Sequence, residues 1–231
     1  MTDPELTVAP LAPLPPPAAR PARGARFVAS ALILLTTLAA CLAAWQSWRS
    51  YWLVRDVLSV TPTATAEQLA AAHTRTELLS WAWLGGVTLS GIAFLAWLWR
   101  ARVNAARICL APQRLRIRWA VGAWFVPVAN LWWPQMVLGD VWRASRPNAP
   151  ADLATAPAGR LVGLWWGAFV AMHTVDLFAV HVLADESSVG AFKSVFFANV
   201  LSGGLAVVAT VSILVVMRRV DRWQTGRAIL R

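Results

Sequence analysis

Three side chains within one apolar run have the types needed for chemistry. His173, Asp176 and His181 lie in the stretch from Leu161 to Leu183, which holds no other ionisable group. Asp176 is the only acid inside any of the four apolar runs read below as spans. An ionisable group at bilayer depth costs about 2.5–3.5 kcal/mol on insertion scales and marks a functional site by default. On a helix the three residues spread over about 140°, so one helix alone makes a poor metal triad. No spacing fits zinc or haem ligation, and neither metal nor cofactor is expected. His173 and Asp176 have the chemistry for a proton or ion relay. The plainer alternative puts Asp176 near the interface, paired or wet, with the histidines satisfied by packing.

Other chemistry is absent. The chain has no nucleophile motif, phosphate loop or paired carboxylates, and Ser202-Gly-Gly204 reads as close helix packing; an enzyme is not expected. Cys41 sits in an apolar run and Cys109 in a basic strip, so neither a disulfide nor a metal site is implied. Leu38-Ala-Ala-Cys41 resembles a lipobox, but the proline-rich segment before it and the apolar run continuing through Ala44 favour a plain spanning helix.

These residues must be positioned by membrane helices. The 231-residue chain is 58% hydrophobic and 14% charged, with mean hydropathy +0.54. A soluble domain carries about 25% charged residues. Uncharged runs of about 20 residues suffice to cross the hydrocarbon core, and spans are expected at about 27–48, 78–99, 161–183 and 194–217. Residues 1–26, with seven prolines, read as a disordered tail whose Pro13-Leu-Pro-Pro16 fits a PxxP pattern. Thr61 to Thr65 reads as a turn and helix start within a segment, 49–77, expected outside the cytoplasm. Trp45, Trp48 and Trp52 share a face as an interfacial anchor. Two small-residue rows, Ala82/Gly86/Ser90 and Ala198/Ser202/Ala206/Thr210, are candidate packing faces.

The stretch from Trp97 to Ser145 stands apart. Arg100, Arg102, Arg107, Arg114, Arg116 and Arg118 form a strip without an acid, expected on anionic headgroups at about 1 kcal/mol per residue. No aromatic stacking platform accompanies it, so nucleic acid is not an expected partner. A third uncharged run, Trp119 to Gly139, follows, interrupted by Pro127 and Pro134. If it does not cross, 17 basic residues fall on the side of the N-terminal tail and 4 on the other; if it crosses, the split is 10 against 11. The positive-inside rule favours the first arrangement. In a helix the prolines would free the carbonyls of Ala123 and Asn130, for which the Asn130 side chain is the nearby partner. Residues 119–142 are therefore expected as a proline-broken, re-entrant or interfacial helix, with Trp132, Trp133 and Trp142 near headgroups. A basic juxtamembrane tail, 218–231, should lie on the inner leaflet.

Trp97-Leu-Trp-Arg-Ala-Arg-Val-Asn-Ala105, Trp119-Ala-Val-Gly-Ala-Trp-Phe-Val-Pro-Val-Ala-Asn-Leu-Trp-Trp-Pro-Gln135 and Asp140-Val-Trp-Arg-Ala-Ser145 together resemble the DUF 4328 family of bacterial, mainly actinobacterial, membrane proteins. The resemblance runs from about residue 75 to about 217. It implies a multi-span membrane domain and no assigned activity. Trp133 departs from it, standing where a basic or polar residue is more usual. The expectation is thus an all-α multi-pass protein of the cell membrane, with four spans, one broken helix and both termini cytoplasmic. Its function would be that of a non-enzymatic adaptor or assembly protein working with lipid, a second copy or another membrane protein. The alternative is a small oligomeric transporter or channel lined by His173, Asp176 and the broken helix around Pro127–Pro134.

Overall fold

A computed structural model describes residues 22–57, 63–157, 159–185 and 189–229. Most of the proline-rich tail, with its PxxP pattern, lies outside the described residues. Four long helices carry the architecture: α1 (Arg23–Val57), α2 (Ala66–Ile108), α5 (Arg160–Asp185) and α6 (Val189–Ile229). Each is long and apolar enough to cross a membrane. Between α2 and α5 come the short α3 (Trp119–Gly122), a 3₁₀ turn (Ala129–Leu131) and α4 (Trp133–Ser145). The described residues contain no strand, and the fold is an all-α multi-pass bundle.

The helices outrun the apolar segments that nucleate them. Between 49 and 77 the chain is mostly the far ends of α1 and α2, as a helical hairpin. The turn read at Thr61–Thr65 does start a helix: Thr65 is the N-cap of α2, the Gln68 N–H donates to its Oγ1 at 3.2 Å, and its own N–H donates to Gln68 Oε1 at 3.0 Å. Two orphan donors are satisfied reciprocally there. At the other end of the chain the expected separate basic tail is corrected. Residues 218–229 continue α6, because Val220, Asp221 and Gln224 find buried partners on its inward face.

α1 packs against α2 and α6, and α6 also packs against α5. Small residues set the spacing. A Cβ on Gly86 of α2 would fall 2.8 Å from Thr36 Oγ1 of α1, so only glycine admits that approach. Ser90 of the same row is buried, while Ala82 is exposed. Ala198, Ser202, Ala206 and Thr210 on α6 are all buried, and Thr210 Oγ1 meets Thr37 Oγ1 of α1 at 2.6 Å. Leu35, Leu38, Phe178 and Val211 stay exposed on the outside of the bundle, as lipid-facing side chains should.

α2 and α5 have no comparable packing against each other. The gap between them is filled at one end only, by α3, the 3₁₀ turn and α4, with α4 touching α2, α5 and α6. That is the end where α1 begins, α2 ends, α5 begins and α6 ends; it carries Arg23, Arg100–Arg118, Arg160 and Arg218–Arg222 and is called here the basic end. Because α2 ends and α5 begins there, the third apolar run does not cross between them. Residues 119–142 are not one kinked helix. The chain turns through 123–128, so Pro127 breaks no helix, and Pro134 sits in the first turn of α4, where its missing N–H has no helical acceptor to lose. Phe125, Val128, Leu131 and Trp132 form an exposed apolar knuckle at this turn.

Single cysteines at Ala151 and Thr63, in a variant lacking Cys41 and Cys109, should react with a membrane-impermeant thiol reagent from opposite faces of the membrane. Labelling of both from one face would mean an even number of crossings between them and the loss of this topology.

Candidate functional site

The basic end is held by a polar layer inside an aromatic and aliphatic core. Trp97, Leu98 and Ala101 of α2, Leu138 and Val141 of α4, and Met217 and Val220 of α6 are completely or almost completely buried. Within this core Asp221 of α6 accepts from Arg26 Nε of α1 at 2.8 Å and from Trp97 Nε1 of α2 at 3.2 Å. One turn on, Gln224 accepts from Asn104 Nδ2 at 3.3 Å, and its own amide donates to Ala101 O and Ser145 Oγ, both at 2.9 Å. The Ser145 hydroxyl donates in turn to Val141 O at 2.7 Å. These contacts tie α1, α2, α4 and α6 together at one level. The side chains of Asp221, Asn104, Gln224 and Ser145 are all hydrogen-bonded within this layer, which is the condition for it to stabilise at all.

A second knot fixes the strip to α4. Asp140, 1% exposed, accepts from the Arg114 backbone N–H at 3.0 Å, from the Arg114 guanidinium at 2.8 Å and from Arg143 Nη1 at 2.8 Å. Arg114 Nη2 also donates to Met136 O at 3.3 Å. Burial pulls the Arg143 guanidinium below its ordinary value, Arg114 beside it pushes the same way, and Asp140 opposes both. One carboxylate thus holds two arginines and a loop backbone. Nearby, buried Arg102 donates from Nη2 to Leu115 O at 2.8 Å.

The arginine strip therefore divides. Arg102 and Arg114 were expected on headgroups; both turn their guanidinium groups to the protein, because an acid and a backbone carbonyl wait for them there. Arg107 is half-buried and engaged. Arg100, Arg116 and Arg118 stay exposed. The tryptophans divide too. Trp132 is exposed, and Trp133 lies edge-on to Trp119 with ring centroids 4.3 Å apart. Trp142, also expected at headgroups, is buried against Trp223 at 4.7 Å.

Asn130 does not satisfy the broken backbone. Its Oδ1 is buried without a hydrogen-bond partner, while its N–H donates to Val126 O at 2.8 Å. The indole of Trp166, from α5, takes the role instead, donating to Leu131 O at 3.1 Å. Trp124, next to the turn, wedges between α2 and α5, contacting Phe94, Trp165, Trp166 and Phe169.

His173 and Asp176 part company. The His173 ring lies over Phe169 at 4.4 Å, and no hydrogen bond joins it to Asp176 among the described residues. Asp176 accepts from Ser202 Oγ of α6 and lines a cavity of about 1080 Å³ at the far end of the bundle. Neither Asn130, Pro127 nor Pro134 reaches that cavity, and His181 is exposed away from it. No cluster of three His, Cys, Asp or Glu side chains occurs among the described residues.

The family described as a domain of unknown function, DUF4328, matches residues 60–222. This chain belongs to that family. The match begins before α2 and ends within the buried turn around Asp221, so it covers α2 through most of α6 and leaves out α1. No curated protein and no solved structure matches the chain. Sequence reasoning overlooked Asp140, Asp221, Asn104 and Gln224. The two acids did leave a signal: each is a lone carboxylate among arginines, and such an acid is a natural buried counter-ion.

Asp140→Ala should cost about 3–5 kcal/mol, since it leaves Arg143 buried without its counter-ion. Melting of the detergent-solubilised protein checks this; an unchanged midpoint would mean that the knot does not hold the basic end.

Proposed function

We propose that this member of the DUF4328 family is a non-enzymatic membrane adaptor or assembly protein of the cell membrane, with its basic end cytoplasmic. The observation that supports the reading is the surface of that end. Arg100, Arg116, Arg118, Arg218, Arg219 and Arg222 are exposed, as is the Phe125–Trp132 knuckle. Beneath them lies a framework whose polar groups are committed to one another. A rigid platform with a cationic rim suits anionic headgroups, at about 1 kcal/mol for each arginine near the surface. The apolar knuckle suits insertion at the interface or burial against a partner, either a second copy or another membrane protein. The positive-inside rule supports the orientation.

A small transporter is the second reading, and the cavity at Asp176 is what favours it. The broken helix has no part in such a path. The aromatic wedge of Phe94, Trp124, Trp165 and Trp166 fills the α2–α5 gap between the cavity and the basic end.

A photo-crosslinking amino acid placed at Phe125 or Arg118 in growing cells tests the first reading. Adaptor function should give a discrete protein adduct, reduced at least tenfold in a variant with Arg116→Glu, Arg218→Glu and Arg219→Glu. Adducts to lipid alone from both positions would overturn it.

A further inference from the structure

The far end of the bundle has an opening where the basic end has a wedge. There α1, α2, α5 and α6 surround the cavity of about 1080 Å³, at the upper limit of the roughly 300–1,000 Å³ that small-molecule sites occupy. Leu53, Val54, Leu69, Leu84, Leu177 and Val180 give it apolar walls. Its polar groups come from all four helices, and most are already bound to protein. Gln46 donates to Ala72 O at 3.4 Å, and Asn199 donates to Ser47 Oγ at 2.6 Å. Asp176 differs. One of its oxygens accepts from Ser202, the other accepts from no described residue, and no described basic side chain forms an ion pair with it. The chain carries 21 basic residues, yet none of those described lines this cavity; among the described residues His73 is its only other titratable group.

An apolar chamber with one acid and no built-in cation is complementary to a ligand that brings the cation itself. We propose that the cavity is a binding site for an amphiphilic amine, with the ammonium on Asp176 and an alkyl or aryl body between α2 and α5. A carboxylate and a protonated amine pair strongly when both leave water, provided the remaining lone pairs are met. The Ser202 hydroxyl meets one of them. The apolar body replaces lipid chains or water against the leucine walls, and the lack of α2–α5 packing leaves an entry from the bilayer side. A neutral or anionic amphiphile of the same length has the walls but not the ion pair, which is what gives the site its selectivity. The proposal gives a ligand class to the cavity behind the transporter reading and is independent of the adaptor reading.

The test uses the full chain in neutral-lipid nanodiscs, with dodecylamine and dodecanol each carrying a diazirine in the alkyl chain. Mass spectrometry maps the adducts after illumination. The amine should label peptides of the cavity wall at least tenfold more than the alcohol does. Asp176→Asn should remove that preference while leaving alcohol labelling unchanged. Ala43→Trp, which fills the chamber and retains Asp176, should abolish both labels there and serves where Asp176→Asn fails to fold. Equal labelling by amine and alcohol, an amine preference that survives Asp176→Asn, or cavity labelling that survives Ala43→Trp would overturn the proposal. The readout is occupancy, so a protein that holds the amine without moving it across the membrane supports the site while sinking the transporter reading.

Discussion

Two helices that do not pack along their length govern this fold. α1 and α6 pack together in the middle, each taking one further neighbour, so α2 and α5 stand apart with a gap between them. A gap inside a bilayer has to be filled by protein, lipid or water, because close packing is the main source of cohesion once lipid has removed the hydrophobic drive between helices. The chain fills one half of the gap itself. Residues 109–159 fold back at the basic end, Trp124 enters between Phe94 and Trp165, and α4 closes over the top. The other half is left as the cavity. Both distinctive features of the molecule follow from the same want of α2–α5 packing.

Filling the gap with a folded-back segment brings polar backbone and charge toward the hydrocarbon boundary, where unpaired groups are costly. The polar layer answers that cost. Asp140 neutralises Arg143, which would otherwise be buried alone, and also holds the more exposed Arg114, while Asp221 pairs with half-buried Arg26 and takes the Trp97 indole. Such pairs give little net stability over a well-packed apolar core, since desolvation offsets most of the Coulomb gain. Their larger effect is on uniqueness. Gln224 can satisfy its amide only when Ala101 and Ser145 are both in register, which fixes α4 and α6 against α2. Shifting any of the three by one turn would leave several buried groups unpaired at once.

The spans, their number and the failure of the third apolar run to cross were legible because they rest on length, hydropathy and the distribution of arginines. Each of these is a property of the chain that no neighbour can override. The small-residue row on α6 was legible for a similar reason, since residues four apart must share a face. What escaped was the fate of individual charges. Arg100 and Arg102 look alike in the strip, yet one is exposed and the other donates to Leu115 O, and that difference is made by a loop 13 residues away. Trp132 and Trp142 look alike as interfacial anchors, yet only the second meets Trp223. Periodicity places a side chain on its own helix; it does not say what the fold brings opposite. For the same reason His173 and Asp176, neighbours on one helix turn, serve different surroundings: an aromatic packing site for one and a cavity wall for the other.

The division of the molecule also bears on where a shared function can reside. Trp97, Asn104, Asp140 and Arg143, which lie in the motifs that resemble the family, are almost wholly buried, with Trp97 bonded to Asp221, Asn104 to Gln224 and Asp140 to Arg143. A side chain so committed cannot meet a substrate or partner without breaking the framework, so these positions specify the scaffold. What the scaffold presents is left to residues with spare capacity. At the basic end these are the exposed arginines and the Phe125 knuckle; at the far end it is Asp176, with one carboxylate oxygen still open to the cavity. The wedge that stiffens the first surface is what makes the second one blind. With Trp124 in place, the space beside Asp176 opens between α2 and α5 and stops at the aromatic cluster, which is the shape of a holding site more than that of a pore.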